Sequence, residues 1–172
     1  MKNKAARLWL ICIAFTVLMS VLGPYNLNGI SPAVLAVLLA GAMEQTAFGF
    51  VSVLGYLLVG LVLPVYPGGG NGLGFLFGSY GGYLLSLLLC VLAVSYATHA
   101  LKKDPLLSAL IGFGASFILY FGIGTVWYLI SSETPFVDAM QKLGVPCIFF
   151  LADALAAFLL LAAFPRAKRK SA

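Results

Sequence analysis

The sequence predicts an all-α integral membrane protein, a bundle of about six transmembrane helices with almost no water-soluble part. Of its 172 residues, 62% are hydrophobic and 9% are charged, and the mean hydropathy is +1.07. A soluble domain carries about 25% charged residues, so this chain needs the bilayer as its solvent. Six spans of about 20 residues with short loops would use nearly all of it. We therefore expect one membrane domain over residues 1–172.

The first apolar run covers residues 8–23 and follows a short basic leader. A signal peptide would begin in the same way, but Pro24 follows directly and no A-x-A-like cleavage site ends the run. We interpret it as a retained first helix. The later spans are predicted at residues 33–43, 47–63, 83–97, 106–130 and 145–164. The second is short for a full span and is followed by Glu44.

The basic residues predict the orientation. If the N-terminus is cytoplasmic, the inner segments hold three, two and four of them, and only Lys142 falls outside. The positive-inside rule then favours both termini in the cytoplasm of a plasma-membrane protein. Clusters that flank apolar runs in this way indicate contact with anionic lipid, not with nucleic acid.

Asp153 is the only formal charge well inside a predicted span. A carboxylate at that depth costs about 2.5–3.5 kcal/mol on insertion scales, so it should face the bundle interior and have a partner. It lies seven residues after Pro146, which would place it about 10 Å below the outer end of the last span. We interpret it as an acceptor for a ligand; the alternative is a structural carboxyl that is protonated or hydrogen-bonded.

Residues 64–82 are rich in glycine and predict an irregular segment on the outer side. Irregular backbone at membrane depth persists only where it is buried in protein or lines a cavity. A P-loop would need Lys and Ser or Thr after its last glycine, and Phe75 and Leu76 follow Gly74 instead. A flexible outer loop is the alternative, but Tyr66, Phe75 and Phe77 favour a packed segment.

The polar side chains favour a binding protein over an intramembrane enzyme. His99 is the only histidine and is predicted at the opposite end of the bundle from Asp153. No His, Asp and Glu cluster predicts a metal site, and no Ser–His pair is placed for nucleophilic catalysis. We expect no cofactor. A structural membrane protein without a ligand is the alternative.

Three stretches of the sequence form a recognisable pattern: Leu39-Ala40-Gly41, the segment from Tyr56 through Leu63-Pro64-Val65-Tyr66 to Gly68–Gly70, and Gly78-Ser79-Tyr80-Gly81-Gly82-Tyr83. They resemble the BioY family, the substrate-binding S components of energy-coupling-factor (ECF) biotin transporters. Asp153 matches an Asp that the family carries in its last helix. The similarity covers about residues 32–165 in the family's order.

The resemblance implies a six-helix bundle of the S-component type with a biotin pocket at its outer side. Asp153 and Asn71 would bind the ureido ring, Tyr83 would line the pocket, and Gly70 would let the backbone approach the ligand. The chain departs from the family at two places. Ser79-Tyr80 stands where the family has Pro-Thr, and Ala156 stands where it commonly has Lys. The ligand could be biotin held by fewer charges, or a relative of biotin.

The resemblance also implies partners: a transmembrane coupling subunit and two ATP-binding subunits, since this chain has no nucleotide motif. Cys12, Thr16 and Ser20 recur every fourth residue on the first helix and would form a ridge of small side chains for the coupling subunit. Self-association through this ridge is the alternative.

The orientation can be tested with single cysteines on a cysteine-free background. Cysteines at position 3 and in the tail should resist impermeant thiol reagents in intact cells, because both termini are predicted to be cytoplasmic. A cysteine near Gly70 or Glu133 should react. Labelling of either terminus from outside would contradict the topology.

Overall fold

The computed structural model describes residues 2–25, 32–101, 104–132 and 136–163, with side chains described in 5–25, 32–101, 104–132 and 147–163. Over these residues the chain forms helices joined by short connections. They are α1 Lys2–Leu22, α2 Pro32–Met43, α3 Thr46–Gly60, α4 Gly72–Leu76, α5 Gly81–Ala100, α6 Pro105–Ser132 and α7 Phe136–Ala163, with a 3₁₀ turn at Pro67–Gly69. The prediction of an all-α bundle is confirmed.

Three of the described helices are long and apolar enough to cross a bilayer, at residues 5–22, 81–100 and 105–132. Shorter apolar helices cover residues 32–43, 46–60 and 147–163. Large apolar side chains such as Leu10, Ile118 and Ile130 point outward and are between 67% and 77% exposed. Such a surface suits lipid, because patches of this kind are rare on soluble monomers.

Helix α5 lies at the centre and packs against α2, α3 and α6. Glycines make the close contacts: a Cβ on Gly41 of α2 or on Gly112 of α6 would lie 2.8 Å from atoms of Val94 on α5. Small residues at such positions let helix backbones approach in a membrane bundle. Helix α1 lies parallel to α3, since Cys12 contacts Phe48 and Thr16 contacts Ser52.

The helices run between two ends of the bundle, which differ in their residues. The N-terminal end holds Arg7, Glu44 and His99, and the far end holds the glycine-rich segment and Trp127, whose indole N–H donates to the Gly78 carbonyl oxygen at 3.0 Å. Residues 64–82 are mostly irregular, as predicted, but Gly72–Leu76 forms a short helix within them. Glycine lowers helix propensity without forbidding a single turn.

The predicted start of the last span was wrong. Helix α7 begins at Phe136 instead of residue 145, so Pro146 lies inside it, and Asp138 and Lys142 belong to the helix instead of a loop. The prediction placed these polar residues in a loop, but the helix continues through them and through Gly144 and Pro146. Membrane helices tolerate glycine and proline because their surroundings satisfy the freed backbone groups. Glu133, also placed in that loop, lies outside the described residues.

Candidate functional site

Asp153 is a buried carboxyl on α7, 9% exposed. It lies 17 residues after the start of α7 at Phe136, or about 26 Å along the helix. Asp153 is therefore farther from the outer end of the helix than the expected distance of about 10 Å, because the helix starts earlier than predicted. No hydrogen bond or ion pair joins this carboxyl to another side chain in the part of the molecule described. A buried charge of this kind needs a partner, and a ligand can supply one.

Aromatic side chains form a wall beside Asp153. Tyr120 on α6 lies within electrostatic range of Asp153, and its ring centroid lies 5.4 Å from that of Phe150 and 5.1 Å from that of Tyr83. Phe117 and Phe121 complete the cluster, with centroids 5.5 and 5.8 Å from Phe150. A ring system bound against this wall would be largely removed from water.

Tyr83 on α5 carries the polar atom at the far side of the wall. Its hydroxyl lies 3.3 Å from Thr125 Oγ1, and either group can donate. The ring rests on Gly124, where a Cβ would collide with it. Tyr83 is thus fixed between α5 and α6 with 9% of its surface exposed.

The glycine-rich segment folds back on α3 instead of extending away from the bundle. The Tyr66 hydroxyl donates to the Leu57 carbonyl oxygen at 2.7 Å, and the Tyr56 hydroxyl donates to the Val65 carbonyl oxygen at 3.2 Å. The Tyr66 N–H also donates to the Gly70 carbonyl oxygen at 3.0 Å. Phe75 stacks on Tyr66 and fills the space that a side chain at Gly70 would need. The expectation of a packed segment is therefore confirmed for this stretch.

Asn71 precedes α4 on this segment, and its side chain is exposed and does not cap the helix. The four predicted site residues therefore form two groups. Asp153 and Tyr83 both adjoin Tyr120, whereas Gly70 and Asn71 lie with Tyr66 and Phe75. The two groups are connected by Tyr56, which lies within electrostatic range of Tyr120 and whose ring centroid is 6.0 Å from that of Tyr66.

The ridge on α1 contacts α3 of the same chain. The Thr16 hydroxyl donates to the Ser52 carbonyl oxygen at 3.0 Å, Cys12 is 3% exposed, and the Ser20 hydroxyl donates to the Thr16 carbonyl oxygen at 2.8 Å. A side chain at Gly55 would press on Thr16. A partner helix that used this ridge would have to displace α3. The outward surface of α1 instead carries Leu10, Ile13, Ala14, Val17 and Val21.

Sequence reasoning missed two features. The aromatic wall was detectable, because Phe113, Phe117, Tyr120 and Phe121 recur at helical spacing on α6. Glu44 was treated as a residue beyond a span, yet it is 3% exposed in the turn between α2 and α3. Burial raises the pKa of this carboxyl, and the hydrogen bond from Ser52 acts in the opposite direction.

The candidate site consists of a cluster of aromatic rings, the Asp153 carboxyl beside it, the Tyr83 hydroxyl and main-chain groups of the glycine-rich segment. Such sites bind small molecules that have an apolar body and a few hydrogen-bonding atoms. The described residues include no group of three His, Cys, Asp or Glu side chains that could hold a metal ion.

Known proteins resemble this chain in sequence and in fold. The family model described as the BioY family matches residues 1–172. Biotin transporter BioY2 of Lactococcus lactis subsp. cremoris (strain MG1363) is 29% identical over 127 residues, which cover 73% of this chain and 69% of that protein. Probable biotin transporter BioY of Bacillus subtilis (strain 168) is 37% identical over 120 residues, 63% of this chain and 64% of that protein.

A crystal structure of the S-component for biotin from an ECF-type ABC transporter shares the fold, with a TM-score of 0.78, 20% sequence identity and coverage of 94% of both chains. The S-component architecture is therefore confirmed, and the bundle is that of a multi-pass membrane protein. Together with the match over the whole sequence, it confirms the resemblance: this chain is a member of the BioY family.

Proposed function

We propose that this chain captures biotin for an ECF-type transporter, as its substrate-binding S component, and takes no catalytic part. The observation that carries the proposal is Asp153, a buried carboxyl beside an aromatic wall that no described side chain pairs with. Family membership and the two similar proteins named as biotin transporters indicate the ligand. In this proposal the far end of the bundle faces the outside of the cell.

The hydrogen-bonding groups and the apolar rings of biotin match the side chains around Asp153. The ureido N–H groups of biotin need acceptors, and its ureido carbonyl needs a donor. Asp153 can accept from the N–H groups, and the Tyr83 hydroxyl can donate. The bicyclic body would lie against Tyr120 and Phe150, while Asn71 and the main chain at Gly70 would approach from the glycine-rich segment. Tyr56 and Tyr66 connect the glycine-rich segment to the aromatic wall. Their ring centroids are 6.0 Å apart, and Tyr56 lies within electrostatic range of Tyr120.

The proposal requires partners that hydrolyse ATP, namely a transmembrane coupling subunit and two ATP-binding subunits. Because Cys12 and Thr16 already pack on α3, we place the contact with the coupling subunit on the outward face of α1 instead. Ala14 is the small residue at the middle of this face, between Leu10 and Val17. A small residue there allows a second helix to approach closely.

Asp153→Asn should weaken biotin binding about 10- to 100-fold, because it replaces a charged acceptor, whose hydrogen bond is worth about 1.5–3 kcal/mol. The measurement is calorimetric titration of the purified variant. The matched control is Asp104→Asn. Asp104 is exposed and precedes α6, so this variant should bind biotin as tightly as the wild type does. Binding by Asp153→Asn as tight as wild type, with the fold intact, would make Asp153 structural.

Replacing the biotin carboxylate by a neutral amide should cost little affinity, because Ala156, half-buried one turn after Asp153, stands where the family commonly has Lys. An Ala156→Lys variant supplies the comparison. It should prefer biotin over the amide by about 1–3 kcal/mol, the range of a charge-assisted hydrogen bond. If wild type binds the amide far more weakly than biotin, another cation such as Lys142 holds the tail. If neither ligand binds, the biotin proposal fails.

Ala14→Phe should reduce co-purification of the coupling subunit and leave biotin affinity unchanged, because position 14 faces away from the bundle. Ile118→Phe on α6, at a position 71% exposed, is the control for added bulk on an outward face. Thr16→Phe should instead lower the thermal stability of the isolated chain, since Thr16 packs against Gly55. Full assembly with Ala14→Phe would move the interface to another helix.

A further inference from the structure

Glu44 is a buried carboxyl at the end of the bundle opposite the ligand site. It occupies the turn between α2 and α3, and its N–H donates to the Ala40 carbonyl oxygen at 2.8 Å. Its Oε2 lies 2.7 Å from Ser52 Oγ on α3. Its Oε1 is also buried and has no hydrogen-bond partner among the described residues. Half of this carboxyl is therefore unsatisfied, which is costly for an anion.

The hydrogens available at Ser52 are too few for an ionised Glu44. Ser52 Oγ lies within bonding distance of three oxygens: Glu44 Oε2 at 2.7 Å, the Phe48 carbonyl at 3.0 Å and the Cys12 carbonyl at 3.3 Å. A hydroxyl has one hydrogen. The two carbonyl oxygens lie within helices and accept backbone N–H groups, and that of Phe48 also accepts from the Cys12 thiol. An ionised Glu44 has no such second source: Oε2 would take the single Ser52 hydrogen, and Oε1 would have none.

A proton on Glu44 resolves this shortage. The carboxyl then donates from Oε2 to Ser52 Oγ, and the Ser52 hydrogen is free to reach the Phe48 carbonyl oxygen one turn back on α3. Oε1 becomes the carbonyl oxygen of a neutral acid, whose burial costs far less than that of a carboxylate. The 2.7 Å separation is typical of a hydrogen bond between two oxygens.

Among the side chains that the structure describes at this end, no other titratable group forms an ion pair with Glu44. Helix α1 contributes Arg7, which is exposed, and Cys12, whose thiol donates to the Phe48 carbonyl oxygen. Helix α5 contributes His99, whose Nδ1 lies 2.9 Å from the Ser95 carbonyl oxygen and 3.0 Å from the Thr98 hydroxyl. Within the described side chains, no ion pair includes Glu44.

We propose that Glu44 is a proton-binding site, occupied in this conformation, and that the neutral acid secures α1 against the turn between α2 and α3. Ser52 connects the two parts, because its hydroxyl lies beside Glu44 and the Cys12 carbonyl while its own carbonyl oxygen accepts from Thr16. Ionisation of Glu44 would bury a charge in this contact. Loss of the proton should therefore loosen α1 from α3.

Isotope-edited infrared spectroscopy can read the proton directly. Glu44 and Glu133 are the chain's glutamates, so a Glu133→Gln variant labelled with ¹³C-carboxyl glutamate reports Glu44 alone, without altering it. The proposal predicts the labelled C=O stretch of a protonated acid at pH 7 and its conversion to carboxylate bands at higher pH. Carboxylate bands at pH 7, including those of a carboxylate that binds a metal cation, would overturn it.

Thermal unfolding supplies a second measurement. An unfolded glutamate titrates near pH 4.3, so a folded state that retains the proton above that pH loses stability as pH rises through the folded-state pKa. The thermal unfolding midpoint of the wild type, measured at a fixed scan rate, should therefore fall as pH rises above the pKa of unfolded glutamate. Glu44→Gln, which carries permanent N–H donors, should show a smaller fall, and the exposed-site control Asp104→Asn should follow wild type. Identical pH profiles for wild type and Glu44→Gln would contradict the proposal.

Discussion

Ser116 on α6 and Cys90 on α5 each direct a side chain to the other's carbonyl oxygen, at 3.1 and 3.4 Å. Hydrogen bonds from a side chain to a main-chain carbonyl also join other helix pairs. Thr16 donates to the Ser52 carbonyl oxygen at 3.0 Å, and Thr98 donates to the Gly41 carbonyl oxygen at 3.4 Å. Such bonds form only where the backbones are close, which small residues permit. Burial from water does not drive helix association within lipid, so close packing of this kind has to hold the bundle together.

The candidate ligand site depends on the same packing. Gly124 lets Tyr83 lie flat on α6, and the tight α5–α6 pair then presents Tyr83 and Tyr120 side by side. Helix α7 places Phe150 and Asp153 against this surface. The aromatic rings fill the space around Asp153 with groups that compete little for its hydrogen bonds. A ligand that carries N–H groups would therefore supply the hydrogen bonds that a carboxyl in such surroundings lacks.

The two buried carboxyls illustrate how one residue class serves two purposes. Glu44 has Ser52 within hydrogen-bond distance, and three helices converge on that contact. Asp153 has an aromatic neighbour but no described hydrogen-bond partner. Both are less than 10% exposed, so burial alone does not separate the roles. The difference lies in whether a described side chain of the protein supplies a hydrogen-bond partner for the carboxyl.

The sequence by itself determined the fold class, the buried Asp153 and the packed glycine-rich segment. Hydrophobic composition, an isolated charge in an apolar run and clustered glycines each reflect a local cost that any membrane fold must meet. The family followed from the same stretches. Whether Asp153 and Asn71 bind ligand stays a prediction.

Only the tertiary structure decided what each face contacts. Helical spacing placed Cys12, Thr16 and Ser20 on one face of α1, but it could not show that α3 covers this face. Likewise, Glu44 looked like a residue at the end of a span until the fold placed α1 and α3 around it. The start of α7 was also not predicted. The helix continues through Gly144 and Pro146, because a membrane bundle can satisfy the backbone groups that these residues leave free. Periodicity identifies which residues share a face, whereas the neighbour of that face depends on how all the helices pack together.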